Sequence, residues 1–405
     1  MKTSAIISEY NPLHLGHLHH IEYTKKETGC DALICIMSGS FTQRGVPAII
    51  DKWTRAEMAI KSGIDLVIEL PVIYSVASAE FFSRGAVEIL DKLNIINFLS
   101  FGSESGDIEL IRTIGEILAE EPEAYTKNLK DNLKSGLPVT QARTNALKEY
   151  MKDKSIYKGS IETFLNSSNN ILALEYCKAL IKLNSNIKPI TLKRLGDSYN
   201  TTVPKSAFTS ATALRNIISS GAFGEIKKYV SEDVNKTIIS LLENEYTFAF
   251  SEAMFPYLKY KLFTDPHLKG IPDAGEGLDN KLYKGALKSN CLEELIMHGK
   301  SKRYTYTRIS RILCQYFLGF EEYPVELLRK ESPEYCRVLA FNDIGRELLK
   351  EIKKKTELNI ITKLPKNPSP MLELDIKSTK AYSILNPRIK PNEDYFRSPS
   401  YLKAF

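Results

Sequence analysis

Close to the start of the chain an apolar run, Ala5-Ile6-Ile7, passes through Glu9-Tyr10-Asn11-Pro12 into His14-Leu15-Gly16-His17. A strand that stops at an Asn-Pro turn and then opens a helix is the first half of a βα unit. That order limits the chain to folds that begin by placing a loop at the carboxyl end of a strand. Four of the six histidines, His14, His17, His19 and His20, fall within seven residues of this junction. Histidines used as ordinary filler would be scattered. Gly16 lets a ligand approach the backbone without a Cβ in the way, and the unpaired N–H groups of a helix start suit an anion. Imidazoles beside such a site can donate hydrogen bonds to a phosphate whose charge grows during attack at phosphorus. The pattern points to ATP chemistry at the α-phosphate. A zinc site using His14 with His17, or His17 with His20, competes with it, although no Cys lies in the window and the Asn-Pro turn suits a closed tetrahedral site poorly. The bland alternative is a capped helix with polar surface histidines.

The first half of the chain repeats the βα alternation. Strands are expected at Ala5–Glu9, Ala32–Met37, Asp65–Leu70 and Ile95–Phe101, and helices at His17–Thr28, Trp53–Lys61 and Ala79–Leu93. Such repeats predict an α/β fold with a Rossmann-like parallel sheet, covered by helices, with ligands at the carboxyl ends of its strands. Residues 106–165 read as a charged helical insertion. The Ser167-Ser168-Asn169-Asn170 cluster caps a helix over Ile171–Leu183, a strand follows around Ile187–Leu195, and Ser210 opens a further helix. The division expected is an activating domain over 1–225 and a mainly helical domain over 226–405. Its tail is irregular and Pro-rich, with a possible strand at Met371–Ile376.

Composition narrows the class. No stretch approaches 18 uninterrupted apolar residues, so a membrane span is not expected. Met1-Lys2-Thr3-Ser4 runs straight into a strand, which leaves no room for a signal peptide. The six cysteines are dispersed without CxxC pairs, which suits reduced thiols and a cytoplasmic protein. The net charge of +6 is uneven, because residues 1–220 carry a balance of +1 and residues 221–405 one of +5. A polyanionic partner would therefore meet the C-terminal part.

Two later clusters complete the pattern. In Ser210-x-Thr212-x-x-Arg215 the hydroxyls sit at a helix start, and an Arg one turn on can bind phosphate oxygens as a fork. The run Lys300, Lys302, Arg303, Tyr304, Tyr306, Arg308, Arg311 mixes cations with aromatic faces, which can neutralise RNA phosphates and stack an unpaired base. Tyr304 and Tyr306 could instead be core residues, and Lys353-Lys354-Lys355 reads as a solvated helix end.

These residues resemble the HIGH-type nucleotidylyltransferase superfamily and, within it, the bacterial tRNA(Met) cytidine acetate ligase family. The likeness rests on Ser8–His17, Met37–Gly45, Asp51–Arg55, Asp65–Pro71, Phe101–Glu104, Ser168–Leu172, Ser210–Arg215 and Lys302–Arg308, so it covers nearly the whole chain. It implies that acetate attacks the α-phosphate of ATP to give acetyl-adenylate, and that the N4 amine of the wobble cytidine of elongator tRNA(Met) then takes the acetyl group. By that resemblance His14 and His17 are the catalytic residues. The ATP site would comprise Ile7, Ser8, Glu9, Tyr10, Asn11, Pro12, Leu13, His14, Leu15, Gly16, His17, Leu18, His19 and His20, with Gly102, Asn169 or Asn170, Arg194, Ser210, Thr212 and Arg215. The tRNA site would use the Lys300–Arg311 cluster. ATP serves as co-substrate, with Mg2+, and no permanently bound cofactor or resident metal is expected. Ser168 stands where many relatives have Pro, Val46 replaces a frequent acidic residue, and Asn200 stands where a His is common. Two other functions fit parts of the pattern: a small-molecule nucleotidylyltransferase without an RNA substrate, and a non-catalytic RNA-binding protein with a vestigial nucleotide site.

Overall fold

The structure is a computed structural model that describes residues 1–153, 161–194, 208–266, 268, 270–275 and 277–403. Tyr199 and Asn200 lie outside the described residues. The chain opens with β1 (Thr3–Ser8), α1 (Leu15–Thr28), β2 (Ala32–Ser38), α2 (Lys52–Lys61), β3 (Leu66–Leu70), α3 (Ala79–Lys92) and β4 (Phe98–Ser103). Helices α4 (Ile108–Glu120), α5 (Glu123–Lys134) and α6 (Val139–Asp153) follow, then α7 (Ser168–Lys182), β5 (Lys188–Lys193) and α8 (Ala211–Ser219). The later part contains α9 (Glu232–Glu243), α10 (Phe255–Thr264), α11 (Leu278–Lys288), α12 (Leu292–Gly299), α13 (Tyr306–Leu318), β6 (Tyr335–Phe341), α14 (Asp343–Lys355), β7 (Asn359–Ile361), α15 (Pro370–Leu385), α16 (Glu393–Phe396) and β8 (Ser400–Tyr401).

The strands form one sheet in the order β5-β4-β1-β2-β3-β6-β7, with β8 beside β6. Strands β1 to β5 pair in parallel, as βα alternation demands. Every residue of β2 and β3 is buried, because helices cover both faces of the sheet. Chain order runs outward from β1 through β2 and β3 on one side, and through β4 and β5 on the other. The β1/β4 seam is therefore the topological switch point, where the loops at the carboxyl ends diverge and leave a crevice.

The sequence reading missed one part of the sheet. Strand β6 pairs antiparallel with β3, and β7 and β8 pair parallel with β6. The sheet thus takes strands from both sides of residue 225, and the expected division of the chain there is not a division of the sheet. A buried ionic network ties this extension down. Lys52 lies 2.8 Å from Glu69 and 2.9 Å from Asp394, and Arg337 lies 2.6 Å from Asp394. None of these side chains is more than 5% exposed. Removing one member would strand a charge in the interior. The possible strand at Met371–Ile376 is instead part of α15, which starts with Pro370 in its first turn, the position where proline's fixed φ suits a helix. The tail prolines flank this helix rather than break it.

Of the expected insertion, α4 buries Leu110, Ile111, Ile114, Ile117 and Leu118. It approaches α7 closely at Gly115, where an added Cβ would come within 3.0 Å of the Cys177 side chain. All six cysteines are free. Among the described residues no helix is long and apolar enough to cross a membrane.

Candidate active site at the β1/β4 seam

A cavity opens at the carboxyl ends of β1 and β4 and is lined from α1, α7 and α8 as well. Fourteen of the expected ATP-site residues line it: Ile7, Ser8, Glu9, Tyr10, Asn11, His14, Gly16, His17, His19, His20, Gly102, Asn169, Arg194 and Arg215. Arg44, Arg194 and Arg215 face one carboxylate, Glu9, among the described lining residues. An excess of guanidinium over carboxylate suits a polyphosphate.

The turn between β1 and α1 is tightly held. Tyr10 has a φ of +45°, unusual for a bulky residue, and the Asn11-Pro12 peptide is cis. The Asn11 side-chain oxygen accepts from the Ile49 N–H at 2.9 Å, and its carbonyl accepts from Arg215 at 2.8 Å. Arg55, fully buried, donates to the carbonyls of Glu9 (2.6 Å), Ser38 (3.0 Å), Ile50 (2.8 Å) and Gly39. One side chain thereby fixes the ends of β1 and β2, from which Glu9 and Gln43 reach the site.

The anion site differs from the sequence expectation in one respect. The first N–H groups of α1 are all occupied. Leu15 donates to the Tyr229 carbonyl at 2.8 Å, Gly16 to His14 Nδ1 at 3.1 Å, and His17 to the His14 carbonyl at 2.8 Å. His17 Nδ1 in turn accepts from the His14 N–H at 3.3 Å, which closes a capping box. The two imidazoles stack with centroids 3.8 Å apart. Because both Nδ1 atoms accept, the hydrogen of each neutral ring sits on Nε2, the only nitrogen left to donate. The donors offered to a phosphate are these imidazole N–H groups and the guanidinium forks, in place of a helix-start amide nest. Gly16, which lines the cavity, has a further role there, since a Cβ would come 2.9 Å from His14 Cε1 and displace the ring.

Electrostatics keep the rings neutral. Burial, then the charges of Arg194 and Arg215, push His14 down to about 3. His17 is lowered well below its usual value by burial, His14 and Arg194. Burial and Arg194 push His20 down to about 4, and its Nε2 lies 2.9 Å from Ser100 Oγ.

Several expected ligand residues hold the others in place. Pro12, Leu13, Leu15 and Leu18 are absent from the cavity wall. Ser210 caps α8 by accepting from the Ala213 N–H at 3.1 Å, and Thr212 accepts from Arg215 at 3.0 Å. The Thr212 hydroxyl thus positions the guanidinium, and the Ser210 hydroxyl the start of its helix. Of the asparagine pair, Asn169 lines the cavity. Asn170 is buried, its side-chain oxygen accepting from the N–H groups of Glu104 (2.9 Å) and Ser105 (3.2 Å). Sequence reasoning missed Gln43, Arg44, Phe82, Phe101, Leu172, Tyr176, Leu192, Phe208 and Thr209 as wall residues. Gln43 and Arg44 stand just beyond β2, so their place was readable once that strand was drawn. The apolar members look like core in any sequence.

In the C-terminal cluster, Lys300, Lys302, Arg303 and Tyr306 are exposed. Tyr304 is not available for stacking an RNA base, because it is only 7% exposed and its hydroxyl donates to the Gly275 carbonyl at 2.8 Å. Arg308 lies over that ring and donates to the Asp273 carbonyl at 2.8 Å. Arg311 is only partly exposed. The exposed part of the cluster is thus its N-terminal portion. Lys353, Lys354 and Lys355 are exposed in the last turn of α14, as a solvated helix end should be.

The HIGH Nucleotidyl Transferase family profile matches residues 1–395. The chain is 49% identical over 417 residues to a tRNA(Met) cytidine acetate ligase of Clostridium botulinum (strain Okra / Type B1), covering 100% of this chain and 99% of that one. It is 46% identical over 402 residues to a protein of the same name from Clostridium kluyveri, covering 98% of each. Among solved structures, Thermotoga maritima TmcAL bound with alpha-thio ATP superposes with a TM-score of 0.91 at 33% identity, covering 100% of both chains.

Proposed function

Since the chain belongs to the HIGH nucleotidyl transferase family, we infer that the cavity at the β1/β4 seam is where ATP is consumed in the acetylation of a tRNA cytidine. The protein is an ATP-dependent tRNA(Met) cytidine acetate ligase. Acetate attacks the α-phosphate, pyrophosphate leaves, and the resulting acetyl-adenylate passes its acetyl group to the N4 amine of the cytidine. The RNA is elongator tRNA(Met) and its wobble position is the acceptor. The observation that carries the site assignment is the pair of stacked imidazoles whose Nδ1 atoms are both held by backbone N–H groups.

Charge builds on the phosphate oxygens as acetate attacks. His14 and His17 present their Nε2 hydrogens there as neutral donors fixed in orientation, so little reorganisation is needed at the moment of reaction. Arg215, held by Asn11 and Thr212, and Arg194 supply full charges on either side. Mg2+, which takes phosphate oxygens and water as ligands, would enter with the nucleotide and neutralise charge on the departing pyrophosphate. The exposed Lys300, Lys302, Arg303 and Tyr306 form the surface that receives the tRNA. The small-molecule alternative has no use for that surface.

The reading is tested by incubating the protein with ATP, acetate and elongator tRNA(Met), digesting the RNA and analysing its nucleosides by mass spectrometry. N4-acetylcytidine that requires both ATP and acetate is the expected product. Its absence, with ATP still cleaved to AMP, would favour a small-molecule substrate.

A further inference from the structure

The second half-reaction releases a proton, and the groups assigned to the first cannot accept it. His14 and His17 each use Nδ1 to accept a backbone N–H, so Nε2 carries the hydrogen. His20 Nε2 is paired with Ser100 Oγ, whereas the contact of His19 with Phe208, centroids 5.5 Å apart, involves the ring face and leaves its nitrogens able to accept. Arginines are permanently protonated. Beside His19, the wall holds one carboxylate among its described residues, Glu9.

Glu9 also stands at a suggestive place. Its Oε1 accepts from the Gln43 N–H at 2.7 Å, and Gln43 Nε2 donates to the Ala77 carbonyl at 3.1 Å, so the carboxylate is held by the loop after β2. That loop rests directly on α13. Gly45, with φ +73°, lies so close that a Cβ would come 2.5 Å from Arg311 Cα, and Ser310 Oγ bonds to the Gly45 carbonyl at 3.3 Å. The segment leading into α13 carries the exposed Lys300, Lys302 and Arg303. Glu9 is therefore on the part of the wall that touches the helix into which the proposed RNA-binding segment leads.

Resting on the function proposed above, we propose that Glu9 is the general base of acetyl transfer. The cytidine N4 attacks the acetyl carbonyl and a C–N bond forms. The C–O bond to the phosphate breaks, and AMP leaves with the electron pair. The proton lost by N4 passes to the Glu9 carboxylate and from there to solvent. The groups around Glu9 fit this task. Gln43 and Arg44 come from the β2 loop, Arg55 from α2, Arg215 from α8, and Tyr10 and His14 from its own segment. Burial raises the Glu9 carboxyl above its ordinary range, while Arg215, Arg44 and Arg55 pull it back. A base whose affinity for protons is raised toward the working pH is the more effective one.

Single-turnover transfer tests the role. Full-length protein is loaded with ATP and labelled acetate, and tRNA is added across a range of pH. Glu9→Gln keeps the size of the side chain and an oxygen for the Gln43 N–H. It should slow transfer about 100-fold and abolish the acid limb of the pH profile, while Glu9→Asp keeps the limb with a smaller loss. Unaltered transfer or a retained limb in Glu9→Gln would overturn the proposal. So would an equal fall in acetyl-adenylate formation, which would place Glu9 in the first step. Wild-type protein that makes acetyl-adenylate but no acetylcytidine would overturn the functional reading itself, a result distinct from a normal wild type with an unaffected variant.

Discussion

Two parts of the molecule gather cationic and aromatic groups, and they hold them differently. At the β1/β4 seam the stacked imidazoles and Arg215 are themselves bonded. His14 and His17 cap one another's backbone, Arg215 is tied to Asn11 and Thr212, and Arg55 clamps the strand ends beneath. Along 300–306, Lys300, Lys302, Arg303 and Tyr306 extend into solvent. The first arrangement pre-pays the ordering of its donors and can stabilise a transient charge. The second gathers charge without fixing it, which suits a long, variable polyanion. Residue types alone would not separate the two, but their hydrogen-bond partners do.

Four substitutions or conditions can break or sharpen that contrast. His17→Ala should lower acetate-dependent ATP–pyrophosphate exchange by about two orders of magnitude, the usual cost of a transition-state donor. Exchange at the wild-type rate in the folded variant would remove the imidazole pair from the chemistry. Replacing Lys300, Lys302 and Arg303 together by Ala should weaken tRNA binding about tenfold and flatten its salt dependence by about two units of slope. Filter binding at several salt concentrations reads both, and an unchanged slope would clear these residues of phosphate contact. Thr212→Val removes the acceptor that orients Arg215, and should raise KM for ATP about fivefold, the worth of about one hydrogen bond. A larger effect on kcat than on KM would mean that Thr212 touches the reacting groups.

The smallest effect is one of pH. His14 and His20 are held near about 3 and about 4 by burial and nearby arginines, against an ordinary value of 6.5. Below pH 6.5 the unfolded chain takes up protons that the folded protein refuses. Stability is therefore complete above 6.5 and declines as pH falls toward the folded values. Between pH 7 and pH 5 each such imidazole should cost about 2 kcal/mol, seen as a fall in Tm that pyrophosphate partly reverses. A Tm flat over that range would contradict the burial of these rings.

Much of this was legible in the sequence, for identifiable reasons. The parallel half of the sheet announced itself because βα alternation has only one compact solution, and the switch-point crevice followed from it. Strand β6 escaped because Arg337 interrupts an otherwise apolar run, and only its partners Glu69 and Asp394, far away in sequence, allow that charge inside. Helix α15 escaped because prolines on both sides suggested irregular chain. At the site, His14, His17, Gly102, Asn169, Arg194 and Arg215, all singled out from the sequence, come together in the wall of one cavity. What a sequence does not carry is which donors are already spent, and so the occupied N–H groups of α1 and the buried Tyr304 emerged only from the structure.

The route of oxygen is the most direct test of acetate attack on the α-phosphate in this cavity. The protein is supplied with ATP, tRNA and acetate labelled with 18O in both carboxylate oxygens, and the products are weighed by mass spectrometry. Attack at the α-phosphate followed by transfer to the cytidine leaves one labelled oxygen in AMP, one in the acetyl group on the RNA, and none in pyrophosphate. Label in inorganic phosphate or pyrophosphate, with AMP unlabelled, would show that the carboxylate is activated elsewhere on the nucleotide and would contradict the assignment.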